Sequence, residues 1–211
     1  MNHSELGRRL RLVLITSEDL AGTNGVVNVV QQALSAGAPS IQLRAKEATA
    51  RELTAMVQGL IPAVRAAGSL LFVNDRLDVA LAAGADGVHL GPDDLPVRDV
   101  RSAVDDDFIV GYSTDDPADA AQAQADGADY LGSGTVYATT NKSDPGEVIG
   151  VEGLRRVVEA VSIPVVGIGG ITPERAEAVA ETGASGIAVI GAVMSAADPG
   201  DAVRRLMAPF G

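Results

Sequence analysis

Gln42, Arg44 and Lys46 stand at alternate positions of one short stretch, and in an extended segment alternate residues share a face. A guanidinium with an ammonium two residues on is a clamp for a diphosphate, because a planar fork and a point charge can take neighbouring phosphate oxygens. Inside a barrel that face is ordinarily apolar, so three polar groups there need a ligand or partners. A layer of internal salt bridges, Arg44 with Asp75 for example, is the competing arrangement. Asp75 and Asp94 follow the apolar runs Leu70–Val73 and Val88–Leu90, so both fall at strand ends, where two carboxylates can face one pocket. Such a pair suits one Mg²⁺ ion, which keeps its other positions for water and phosphate oxygens. The same residues also suit plainer roles, Asp75 as a helix cap and Asp94 as a turn former in Gly91-Pro92-Asp93-Asp94.

Other chemistry falls at comparable places. Of 16 basic residues only Lys46 and Lys142 are lysines, and Lys142 stands in the longest loop, after Thr139-Thr140-Asn141. Hydroxyls, an amide and then an ammonium read as an anion-binding flap, with 135–149 expected to be a flexible active-site loop. Ser113 can donate to a phosphate oxygen or cap the helix after it. Gly169-Gly170 and Ile190-Gly191 close two further apolar runs, where backbone N–H groups can approach a monophosphate. His89 lies within an apolar run, and both a barrel-lining hydrogen-bond donor and a catalytic base fit it.

The elements that must position these residues alternate. Apolar runs at Arg11–Thr16, Ser40–Lys46, Leu70–Asp75, Gly87–Gly91, Phe108–Thr114, Ala128–Gly134, Pro164–Gly170 and Gly186–Gly191 predict strands. Between them, amphipathic stretches such as Ala50–Ala67, Pro117–Asp126, Val151–Val161 and Thr172–Glu181 predict helices, with Asn24 starting the first and Asp198-Pro199 preceding the last. Strict alternation requires a parallel sheet, and the fold class expected is α/β, a single-domain (β/α)₈ TIM barrel over residues 1–211 with 1–10 as an N-terminal extension. An open doubly wound sheet is the alternative. Gly37, Gly84, Gly127 and Gly183 recur in small-Gly-Ala turns ahead of every second strand, the mark of a repeated βαβα module closed by left-handed glycines.

Composition narrows the partners. A net charge of −12 argues against nucleic acid and anionic membrane surfaces, so anionic ligands must be held by local cations. There is no long apolar run, which points to the cytoplasm, and the absence of cysteine removes thiolate chemistry and disulfides. Oligomeric state is not legible, and a homodimer stays open. Two anion sites, one served by cations and a metal and one by glycines, imply two phosphorylated small-molecule substrates. No nucleophile or strong base stands between them, so stabilising a departing diphosphate is the simplest chemistry.

Several motifs in order carry a resemblance over nearly the whole chain: Gln42-Leu43-Arg44-x-Lys46-Glu47, Val73-Asn74-Asp75-Arg76, Asp86-Gly87-Val88-His89-Leu90-Gly91, Asp94-Leu95-Pro96, Gly127-Ala128-Asp129-Tyr130 and Ile168-Gly169-Gly170-Ile171. The sequence resembles the thiamine-phosphate synthase family. The resemblance implies transfer of an aminopyrimidine methyl group from its diphosphate to a thiazole phosphate, by dissociative departure of pyrophosphate. It implies that Gln42, Leu43, Arg44, Ala45, Lys46, Asn74, Ser113 and Lys142 hold the pyrimidine diphosphate, with Arg44, Ser113 and Lys142 catalytic. Thr139, Thr140, Asn141, Gly170, Ile190 and Gly191 would hold the thiazole phosphate, and Asp75 and Asp94 the Mg²⁺. The chain departs from the family pattern at Asn141 (usually Thr), Gly191 (usually Ser), Asp115 (often His) and Ala45 (often Glu). A sister branch, thiazole tautomerase, uses a histidine where Asp115 stands, and a non-catalytic phosphate-binding barrel is the other alternative.

Overall fold

The computed structural model describes residues 1–139 and 147–211. Eight strands, β1 (Leu12–Ile15), β2 (Ser40–Leu43), β3 (Leu70–Asn74), β4 (Gly87–Leu90), β5 (Ile109–Ser113), β6 (Tyr130–Ser133), β7 (Val165–Ile168) and β8 (Gly186–Val189), pair in sequence order. Every pairing is parallel, and β8 returns to β1 through Val13↔Ala188, closing the barrel. The strands are nearly continuous apolar runs because helices cover their outer faces while the lumen covers the inner. The expected (β/α)₈ barrel is what forms, and closure removes the open-sheet alternative.

Local signals set the boundaries. Thr49 and Glu52 form a reciprocal capping box on helix Ala50–Ala66. Asp116 and Asp198 cap helices that begin with Pro117 and Pro199. Gly37, Gly84, Gly127 and Gly183 all take positive φ, as the repeated turn requires. Three expectations need correction. The helix expected from Asn24 begins at Val26, because Asn24 closes a 3₁₀ turn and Gly25, at φ 71°, redirects the chain. The helix expected from Thr172 begins at Ala176, after a turn whose Arg175 N–H bonds the Thr172 carbonyl. β2 stops at Leu43 rather than Lys46, where the Thr16 hydroxyl takes the Arg44 N–H at 3.0 Å in place of a neighbouring strand.

The N-terminal extension is a helix, His3–Arg9, capped by Asn2. Leu6 and Leu10 are buried beneath the barrel, and the Ser40 hydroxyl donates to the Arg9 carbonyl at 2.6 Å. This ties down the end of the barrel where the strands begin and leaves the opposite mouth for function.

The lumen is tight where it matters. Gly111 on β5 faces Tyr130 and His89, and a Cβ there would overlap the Tyr130 ring and lie 2.6 Å from His89 Nδ1. Overpacking of this kind costs about 1–3 kcal/mol. Gly111→Ala is therefore expected to lower the melting temperature by roughly 3–10 °C. Differential scanning fluorimetry checks this, and an unchanged melting temperature would mean that the lumen has slack.

Candidate active site

Two adjoining cavities open at the carboxyl ends of the strands. The first, about 390 Å³, is lined by Gln42, Arg44, Lys46, Asn74, Asp75, His89, Asp94, Ser113 and Tyr130. The second, about 560 Å³, is lined by Gly134, Thr135, Thr139, Gly169, Gly170, Ile190 and Gly191, with Asp115, Asp116 and Asp119 along one rim. Pro92, Ser113, Gly132, Ile168 and Ala188 belong to both, so the cavities share a wall.

In the charged cavity, alternation continues past the end of β2. Gln42, Arg44 and Lys46 face the mouth, whereas Leu43 and Ala45 line a separate groove with Val26, Val27 and Met56. Any contact of Leu43 or Ala45 with a mouth ligand thus falls to their backbone. Among the described residues the ion pairs include neither Arg44 nor Lys46, so the alternative of a salt-bridged layer does not form. Their charges nevertheless reach Asp75 through space.

Asp75 is the one non-glycine residue with positive φ, 64°, among the described residues. It caps no helix: the residue at the N-cap is Arg76, whose guanidinium is occupied outside by Asp78 at 2.8 and 2.6 Å. The left-handed turn, held by the Asp75 N–H bond to the His89 carbonyl, is the kind of backbone strain that structure retains at sites of function. The Asp75 carboxyl is pushed up to about 6, first by burial and then by the charge of Asp94 and a hydrogen bond with it, against the lowering pull of Lys46 and Arg44. Asp94 is itself fixed by accepting the Gly91 N–H at 2.7 Å. Two hard oxygen donors thus converge at a cost that a cation would relieve, which fits a divalent ion with few protein ligands.

The second cavity is built from backbone. Gly169 and Gly170 take φ 104° and 59°, and a Cβ on Gly170 would come within 2.7 Å of the Tyr137 and Ala138 carbonyls. Arg175 donates to the Gly170 carbonyl at 2.7 Å and lies over the Tyr137 ring, 4.7 Å from its centroid. Sequence reasoning missed Arg175 and Tyr137; an arginine directly after Thr172-Pro173-Glu174 was the available signal. Thr139, Gly170, Ile190 and Gly191 share this cavity. Thr140, Asn141 and Lys142, and so most of the expected flap, lie outside the described residues.

Comparison with known proteins decides the lineage. The sequence profile described as thiamine monophosphate synthase matches residues 12–193. The chain belongs to this family. A thiamine-phosphate synthase from Moorella thermoacetica is 47% identical over 195 residues, spanning 92% of this chain and 93% of the relative. One from Pyrococcus furiosus is 45% identical over 201 residues, 95% of each. The solved thiamine phosphate pyrophosphorylase of Pyrococcus furiosus superposes with a TM-score of 0.88 at 43% identity, covering 97% of both chains. A 3-hexulose-6-phosphate synthase, with a TM-score of 0.69 at 20% identity, shares the fold alone.

Proposed function

We propose that the chain is a thiamine-phosphate synthase, joining an aminopyrimidine methyl diphosphate to a thiazole phosphate and releasing pyrophosphate. The observation that carries this reading is the shared wall: a cavity with two cations and two carboxylates meets a cavity of glycine backbone at Ser113. The diphosphate belongs in the first. Arg44 and Lys46 take its oxygens, Asn74 and Gln42 orient the aminopyrimidine end, and Ser113 donates at the junction. Lys142, from the loop beyond β6, supplies a third cation. Asp75 and Asp94 would hold Mg²⁺, which would supply positive charge to offset that collecting on the diphosphate.

The bond between the pyrimidine methylene carbon and the bridging diphosphate oxygen breaks, and its electron pair leaves with the pyrophosphate. Electron release from the pyrimidine amine supports the cationic carbon, and the thiazole nitrogen forms the new C–N bond with its lone pair. Side chains here position and neutralise rather than attack, and donors fixed in advance around a developing charge are the strongest means such a site has of lowering the barrier. The thiazole phosphate rests on the backbone of Gly170 and Gly191, with Ile190 and the hydroxyls and amide of Thr139, Thr140 and Asn141 beside it.

Two tests separate the halves. With both substrates and Mg²⁺, pyrophosphate should appear in equal amount to a C–N-coupled product of the right mass; pyrophosphate without that product would overturn the transfer. In Gly170→Ala, strain at φ 59° and the crowded Tyr137 and Ala138 carbonyls should raise the KM for the thiazole phosphate about tenfold or more, with little change in diphosphate affinity. Steady-state kinetics with each substrate varied in turn checks this, and an equal effect on both would remove Gly170 from the thiazole side.

A further inference from the structure

His89 is central to the lumen yet has no part in the chemistry above. Its Nε2 lies 2.8 Å from Ser113 Oγ and its Nδ1 lies 2.9 Å from the Tyr130 hydroxyl. Gly111 and Gly132, on the neighbouring strands, leave the room: a Cβ on Gly111 would strike both rings, and one on Gly132 would sit 3.2 Å from His89 Cε1. Backbone this bare on two adjacent strands keeps the Tyr130, His89 and Ser113 side chains in a row across the barrel.

The geometry points to His89 as a positioning residue: the Tyr130 O–H donates a hydrogen bond to Nδ1, the Nε2–H therefore donates to Ser113 Oγ, and the Ser113 O–H is left to donate into the active-site cavities. The direction follows from the buried end of the row. Tyr130 is fully buried, so it keeps its phenolic proton, and the hydrogen bond it shares with Gln42 acts to stabilise the oxygen, as an amide N–H donor does. The buried phenolic O–H needs an acceptor of its own, and Nδ1 at 2.9 Å supplies it. A neutral imidazole accepting at one nitrogen donates from the other. The opposite polarity would spend the Ser113 proton on Nε2 and turn serine lone pairs toward an anionic substrate.

The role in turnover rests on the proposed transfer reaction, but the tautomer is a property of the protein alone, so the two are tested separately. In ¹⁵N-histidine-labelled protein, long-range ¹H–¹⁵N spectra should show one ring, assigned by its loss in His89→Gln, as neutral with Nε2 protonated. In Tyr130→Phe the same ring should shift toward the Nδ1–H form. An Nδ1–H ring in the unmodified protein, or a tautomer indifferent to Tyr130→Phe, overturns the proposal. In kinetics, His89→Gln offers an amide N–H in place of Nε2–H and should retain kcat within about threefold, whereas His89→Leu should lose about 10- to 30-fold in kcat with the thiazole phosphate KM unchanged. Equal losses in the two variants overturn it, whereas absence of turnover in the unmodified protein counts against the transfer reaction and leaves the tautomer result standing.

Discussion

Asp75→Asn is expected to abolish Mg²⁺-dependent turnover, by about 10³-fold or more, while making the metal-free protein more heat-stable. Asparagine tolerates the left-handed backbone that Asp75 occupies at φ 64°, so the turn survives. What it removes is a carboxylate held at about 6 by burial and by Asp94. The sign is fixed by linkage: the folded value lies above the ordinary 3.8, so the metal-free fold keeps a proton that the unfolded chain has released. Stability is therefore full below the ordinary 3.8 and is lost as pH rises from there through about 6, and the asparagine variant should lose that slope. Thermal denaturation in chelator at pH 5 and pH 8, with and without the substitution, reads both effects. A variant less stable than its parent at pH 8 would make Asp75 a structural residue.

Arg44→Met is expected to cost about 10²- to 10³-fold in kcat/KM for the pyrimidine diphosphate, the effect of removing one charge-assisted donor from developing negative charge. The methionine keeps most of the stem's packing. Because Arg44 has no ion pair among the described residues and its backbone is held by Thr16, the fold should be unaffected. The thiazole phosphate KM should stay within a few-fold, since Arg44 lines the charged cavity and not the glycine-built one. Circular dichroism beside steady-state kinetics makes the comparison, and a loss shared equally between substrates would place Arg44 in the scaffold.

The architecture was legible because buried parallel strands advertise themselves as uninterrupted apolar runs and because Gly37, Gly84, Gly127 and Gly183 mark the left-handed turn ahead of every second strand. The period-two alternation that puts Arg44 and Lys46 on one face is equally local, and both line the charged cavity. What escaped is long-range and polar. Tyr130 reaches His89 across 41 positions, and inward-facing residues of different strands leave no local signature. Asp75 read equally well as a cap, and only its positive φ, with Arg76 at the N-cap, decides otherwise. The sequence pattern of β2 outruns the strand because Arg44 and Lys46 keep its alternation after the ladder has ended at Leu43.

The proposed function depends on the charged cavity taking the diphosphate with a divalent ion beside the glycine-built cavity with which it shares a wall. Isothermal titration of the pyrimidine diphosphate, with and without Mg²⁺, into the unmodified protein and Asp75→Asn tests this most directly. Binding should tighten at least tenfold with Mg²⁺ in the unmodified protein and be indifferent to Mg²⁺ in the variant. Affinity that ignores Mg²⁺ in both proteins would contradict the site as drawn.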